Sequence, residues 1–382
     1  MKLVLEEEQR QLRDAVRDFL RTASPLPKVR DGYDPQVYAR LNGELGLSGL
    51  IIPEEYGGAG AGMAELAVAL EETGAALLPG PFLATAFATI ALAGTPDKEL
   101  LAAIAEGRVT ATLARDTLDH DGAAVRGTLP QVLSGMEADV LVAPARSGGR
   151  GGDHSGDQGG GRGGDHSGDQ GGDRDDDQGG GEGGGEGGGE GGGDAVLVAV
   201  ELAGPGVTRT ALAALDLTRG QARVALEGAP ARVLGPAPQV GDRLCVALAA
   251  EQLGVMRAAL DAIVAYAKIR VAFGRYIGSY QGVKHKLADM HAKLEQAESI
   301  VRYAAWAADE SPDELPEAAA LAQAYVGRAC FEVARDHLLL HGGIGFTWEH
   351  DAHLYYKRAK ADEVLLGPPR IHRARLAELL EL

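Results

Sequence analysis

The chain has 382 residues, with 37 Lys and Arg against 55 Asp and Glu, giving a formal net charge of −18. At roughly 100–200 residues per domain, that length predicts two or three domains. The acidic balance excludes the basic footprint of a nucleic-acid binder. Two cysteines, Cys245 and Cys330, cannot build a disulfide framework and suit a reducing compartment. No apolar run reaches the roughly 18 residues of a membrane span, and the N-terminal segment is charged throughout, without the apolar core of a signal peptide. The expectation is a cytoplasmic protein with neither nucleic acid nor membrane as a partner.

The first third reads as helices. Residues 6–20 carry an apolar stripe at a period near 3.6, and 64–78 and 98–104 look similar. Between the first two, the segment Pro53-Glu54-Glu55-Tyr56-Gly57-Gly58-Ala59-Gly60 predicts a loop, because Pro and clustered Gly break both periods. From about 109 to 240 the pattern changes to short β-like runs at 138–143, 195–200, 207–211 and 221–226, predicting a small antiparallel β domain. Long helices then return over 242–270, 281–309 and 316–341, followed by 351–360 and 370–380. Short loops between long helices predict a bundle. The fold class is thus mainly α with a β middle domain: an N-terminal helical domain over 1–108, a β middle domain over 109–240, and a C-terminal four-helix bundle over 241–382.

An unusual tract interrupts the β domain. Residues 147–194 hold 25 of the 55 glycines, 12 acids and three arginines, and so carry half of the net charge. A twelve-residue unit, GRGGDHSGDQGG, occurs at 149–160 and again at 161–172. Its Asp and His invite a metal-binding reading, but calcium-binding Gly-rich repeats need an apolar residue where turns stack, and none is present. Without apolar side chains the tract cannot offset its ordering entropy, so a disordered insertion is expected. No metal site is assigned.

Two segments concentrate residues that carry chemistry. Arg270 to Gln281 joins two long helices and gathers two Arg, two Gly and three aromatics. The arginines can hold phosphate and Phe273 can cover an aromatic ring. The alternative is an arginine that satisfies helix carbonyls before a glycine stop. His341-Gly342-Gly343-Ile344-Gly345-Phe346 is a second glycine turn, where a backbone without Cβ can approach a phosphate.

Taken with PEEYGGAG at 53–60, RVAFGRYIGSYQGVKHKLADM at 270–290 and LHGGIGFTWEHDAHLYYKRAKADE at 340–363, in that order, the chain resembles the acyl-CoA dehydrogenase family, in a short actinobacterial-type form. The resemblance covers both helical thirds well and the middle domain poorly. It implies the same three-part fold, FAD held at a subunit interface, and removal of an α-proton and β-hydride from an acyl-CoA to give the trans-2-enoyl thioester. It also implies an electron-transfer-flavoprotein-like acceptor and a homo-oligomer, or an α2β2 assembly with a second dehydrogenase-like chain. Carried over residue by residue, Arg270, Phe273 and Gln281 would contact the adenosine diphosphate half of FAD across a dimer, and Gly342 and Gly343 would approach the pyrophosphate.

The departures concern catalysis. Leu339 stands where the family often has a phosphate-reaching Gln, and 111–122 lacks the Thr-Glu-Pro segment that usually contacts the flavin ring. The family's Tyr-Glu-Gly-Thr turn reads Leu365-Leu366-Gly367-Pro368, so Leu366 occupies the usual base position. A second base position known in the family falls on Leu244. Glu251, seven residues on and so about 10 Å along nearly the same helix face, lies in an apolar stretch where burial would favour base behaviour. It is the candidate catalytic base, against a structural role inside the bundle. Asp242 and Glu363 are the alternatives, Glu363 being expected to face solvent or pair with Lys360. The competing readings are an FAD-dependent acyl-CoA dehydrogenase, a catalytically silent FAD-interface subunit of an α2β2 enzyme, and a scaffold built on the Gly-rich repeats.

Overall fold

A computed structural model describes residues 3–147 and 195–382. The expected insertion at 147–194 lies, apart from Ser147, outside the described residues. The N-terminal third folds into α1 (Glu7–Ala23), α2 (Pro35–Leu45), α3 (Met63–Ala75), α4 (Phe82–Leu92) and α5 (Lys98–Ala105). Local chemistry sets their ends. The Gln9 side chain accepts from the Glu6 amide at 3.0 Å, the Asp34 carboxylate caps α2 by accepting from the Gln36 amide at 2.8 Å, and Gly46 closes α2 in the left-handed region at φ 62°. α2 and α4 have no counterpart among the sequence-predicted helices. Every residue of α4 is buried, so its pattern is apolar all round and carries no period.

The middle third is a sheet of β1 (Ala111–Leu113), β2 (Leu118–His120), β3 (Ala124–Leu133), β4 (Val140–Ser147), β5 (Val196–Glu201), β6 (Val207–Ala211), β7 (Gln221–Pro230) and β8 (Arg232–Pro236). Its main path runs β6-β7-β3-β2-β4-β5-β8, with β1 also on β4. Most of its pairings are antiparallel, as expected, with β1 and β2 running parallel to β4 as the departure. β4 and β5 are antiparallel neighbours with Ala145 opposite Val196, so the two chain ends that flank the undescribed tract leave the sheet side by side.

The last third holds α6 (Gly241–Ile269), a hairpin of β9 (Val271–Ala272) and β10 (Arg275–Tyr276), α7 (Gln281–Glu310), α8 (Leu315–Leu340), α9 (Ala352–Leu365) and α10 (Pro369–Leu379). The N-terminal helices and the bundle share one apolar cluster, which includes Leu66, Leu70, Leu248, Val255 and Val326, while the sheet interior forms its own around Val125, Leu141, Val198 and Val224. Two glycines let α3 and α6 touch backbone to backbone. A Cβ on Gly74 would lie 2.2 Å from the Glu251 carbonyl oxygen, and one on Gly254 would lie 1.8 Å from that of Glu71. Any larger residue would force the helices apart, an overpacking that costs about 1–3 kcal/mol or more. Asp309 of α7 ties the same layer down by accepting from the Met63 and Ala64 amides at 2.8 and 2.9 Å, capping α3 from outside.

Candidate active site

A cavity of about 950 Å³ opens where the three parts meet. Phe87 of α4, Leu133 of β3, Leu244 of α6 and Leu365 and Leu366 at the end of α9 supply apolar wall; Arg115, Asp116, Asp216, Arg219 and Lys360 supply polar groups. Its geometry follows from local stops. α9 ends at Leu366 because Gly367 turns the chain at φ +106°, which leaves the Leu366 side chain, only 8 % exposed, against the cavity. Leu244, in the first turns of α6, is 2 % exposed and lines the same space. Both positions at which the resemblance places a base thus reach one cavity, and both are leucine.

The carboxylates named from sequence lie elsewhere. Glu251 is buried and does not line the cavity. One of its oxygens accepts from Arg219 Nη2 and the other from Arg358 Nη1 at 3.0 Å. The expectation of a carboxylate desolvated among apolar neighbours is corrected by this pair of guanidiniums, which sequence spacing gave no means to foresee. Asp242 pairs with Arg375 of α10, with its Oδ2 accepting at 3.0 Å. Glu363 is buried rather than solvent-facing, and its pairing with Lys360 occurs, at 2.7 Å, with Arg328 at 3.5 Å.

Glu251 belongs to a larger buried cluster that the sequence reading missed. Arg358 is fully buried; its Nε donates to Asp216 at 2.5 Å and its Nη2 to Thr218 at 2.5 Å. Arg219 donates through Nη1 to Asp362, also fully buried, at 2.5 Å. Asp216 further accepts from the Thr218 amide and hydroxyl, and although burial opposes its ionisation, Arg358 and Arg219 hold its carboxyl below the usual range. The only legible signal was Arg358 and Asp362 four residues apart on one helix face. Of the cavity's two carboxylates, Asp216 is therefore fully engaged, and Asp116 is exposed on the turn after β1.

A second arrangement lies away from the cavity. Arg270 caps α6, Phe273 sits at the tip of the β9–β10 hairpin, and Gln281 opens α7; none of them, nor Gly342 or Gly343, lines the cavity. The Tyr266 and His341 rings, 4.5 Å between centroids, join the end of α6 to the start of the glycine turn. Phe273 is 98 % exposed and adopts φ +50°, a left-handed conformation that costs a non-glycine residue roughly 1–3 kcal/mol. Gly342 has φ +66°, and a Cβ on Gly342 or Gly343 would meet nothing within 4 Å. Among the described residues nothing packs against Gly343 closely enough to require a glycine there. Ile269, Val271, Tyr276, Phe346 and Trp348, on the same two segments, are exposed as well. An exposed arginine, a protruding ring and a glycine turn open to a phosphate are groups that fit a dinucleotide shared between chains.

With this geometry in hand, comparison with known proteins is direct. Residues 6–108 match the description "Acyl-CoA dehydrogenase, N-terminal domain" and residues 242–380 match "Acyl-CoA dehydrogenase, C-terminal domain". The chain belongs to the acyl-CoA dehydrogenase family, FAD-dependent oxidoreductases. It is 32% identical to acyl-CoA dehydrogenase IpdE2 of Mycolicibacterium smegmatis over 97% of this chain and 98% of that one. Among solved structures it resembles a variant of the steroid ACAD Tcur3481-Tcur3483, at 27% identity and TM-score 0.79 over 98% of both chains. A glutaryl-CoA dehydrogenase of Mycobacterium smegmatis in complex with FADH2 shares the fold, at TM-score 0.75 and 18% identity over 98% of this chain and 95% of that one. Among the described residues no helix is long and apolar enough to cross a membrane.

Proposed function

We propose that this chain serves in the α,β-dehydrogenation of an acyl-CoA thioester to the trans-2-enoyl thioester as the FAD-interface subunit of an assembly with a second dehydrogenase-like chain. The observation that carries this reading is the cavity wall: Leu244 and Leu366 stand at both base positions, and Asp216, the buried carboxylate there, is already occupied by Arg358 and Thr218. A leucine side chain cannot accept the α-proton, so the base is assigned to the partner. The paired designations in the name of the steroid ACAD Tcur3481-Tcur3483 lend support. Without the partner the reading would require Glu251 to release two guanidiniums before taking a proton.

FAD, when held by these residues, would supply the hydride-accepting chemistry of the reaction, with a protein of the electron-transfer-flavoprotein kind as the acceptor partner. The residues of this chain bind and position. Arg270 offers charge-assisted hydrogen bonds to a diphosphate, each worth about 1.5–3 kcal/mol. Phe273 offers ring contact, Gln281 an amide at the start of α7, and Gly342 and Gly343 an open backbone. Phe87, Leu133 and Leu244 give the cavity an apolar wall.

Glu251→Gln tests the division of labour in the assembled enzyme. Under anaerobic mixing with acyl-CoA, the rate of flavin bleaching per bound flavin should stay within about twofold of wild type, although the protein becomes less stable. Loss of a true general base lowers such a rate by about 10²–10⁴-fold, and a drop of that size would return Glu251 to the mechanism.

A further inference from the structure

The buried cluster between the middle domain and the bundle does not balance. Asp216, Glu251 and Asp362 face two guanidiniums, those of Arg219 and Arg358, all five side chains being at most 5 % exposed. Ionised throughout, the cluster would hold a net negative charge in a low-dielectric interior, a state that costs several kcal/mol and is relieved by taking up a proton. The hydrogen bonds indicate where. Both Glu251 oxygens accept from guanidinium, and both Asp216 oxygens have donors. Asp362 has one oxygen on Arg219 while its Oδ2 is buried without a partner among the described residues. Gln252 donates its amide to the Asp362 main-chain oxygen at 3.1 Å, and its own Oε1 is likewise a buried acceptor without a donor. Asp362 Oδ2 is thus the one carboxylate oxygen of the cluster that accepts no hydrogen bond among the described residues, and a proton there removes the excess charge.

We propose that Asp362 is held as a neutral carboxylic acid and that its proton latches the middle-domain loop 212–220, which walls the cavity, onto the bundle. Asp216 and Arg219 lie on that loop, Glu251 on α6, and Arg358 and Asp362 on α9, so the cluster pins three parts of the chain at one point. Cys330 of α8 also faces it, its thiol pushed up by burial and by Asp362 and Glu251, while Glu363 turns away to Lys360. Burial, the largest influence, together with Glu251 and Asp216, pushes the Asp362 carboxyl up to about 7 against the pull of Arg219 and Arg358. Because this value is raised above that of the opened loop, the latch is complete at acid pH and is lost as pH rises through about 7.

Hydrogen exchange of peptides spanning 212–220 tests the latch in the full chain. Relative to Asp362→Asn, whose amide keeps a donor at this site but cannot titrate, the wild-type opening constant should rise with pH by up to tenfold per pH unit across the approach to about 7. Comparison at equal pH removes the intrinsic pH dependence of exchange. Parallel curves for the two proteins would overturn the proposal. If Asp362→Asn does not fold, infrared difference spectra of wild-type protein labelled with [4-¹³C]aspartate decide it. A protonated aspartic carboxyl band below neutral pH that vanishes above it is expected, and its absence would overturn the proposal.

Discussion

Arg358→Leu is expected to lower the stability of the folded chain by about 3–5 kcal/mol, measured as the shift of the urea unfolding midpoint. The guanidinium is fully buried and joins Asp216, Thr218 and Glu251 through three different nitrogens. Leucine fills part of the space but leaves two carboxylates in the interior with half of their countercharge gone. Arg358→Lys should rescue little, because a single ammonium cannot reproduce a planar fork with separate contacts. As a reference, Arg10→Ala removes an exposed i,i+3 pair with Glu7 and should cost at most about 1 kcal/mol. A loss at Arg358 no larger than that at Arg10 would mean that the cluster does not hold the middle domain to the bundle.

Much of the architecture was legible because each helical third repeats a clear period. α1, α6, α7, α8 and α10 lie within a few residues of the predicted spans. α4 was invisible for the opposite reason, every one of its residues being buried. β3 hides behind a Pro and polar residues that point outward from an otherwise buried strand. The motif stretches made Arg270, Phe273, Gln281 and the glycine pair candidates because each stretch is contiguous in sequence. The cluster around Arg358 was not legible, since Arg358 lies more than a hundred residues from Asp216, Thr218 and Glu251 and only the folded chain brings them together. Glu251 shows the cost of that blindness: helix spacing put it on nearly the face of Leu244, yet it does not line the cavity, and spacing could not reveal the two arginines it meets.

The second large effect is a gain. Leu366→Glu should place a carboxylate in the cavity at the position where the family carries its base, on the residue that ends α9. In an assembly that carries bound flavin and whose partner base has been replaced by its amide, this substitution should raise the rate of acyl-CoA-dependent flavin bleaching by about 10²–10⁴-fold. The apolar surroundings of Leu244 and Leu365 favour a raised carboxyl pKa, which suits proton abstraction near neutral pH. The gain should therefore follow the ionisation of the new carboxyl, growing as pH rises through its pKa. No gain at any pH, with flavin still bound, would mean that the wall lacks more than a base.

The central claim is that this chain completes a flavin site without supplying the proton acceptor. Its most direct test is the subunit composition and flavin content of the protein purified from its native host, by native mass spectrometry and absorption spectroscopy on the same sample. The expected result is an assembly of this chain with a second dehydrogenase-like chain in equal numbers, carrying FAD, together with a chain expressed alone that retains no acyl-CoA-reducible flavin. A yellow homo-oligomer of this chain that acyl-CoA bleaches unaided would contradict the account.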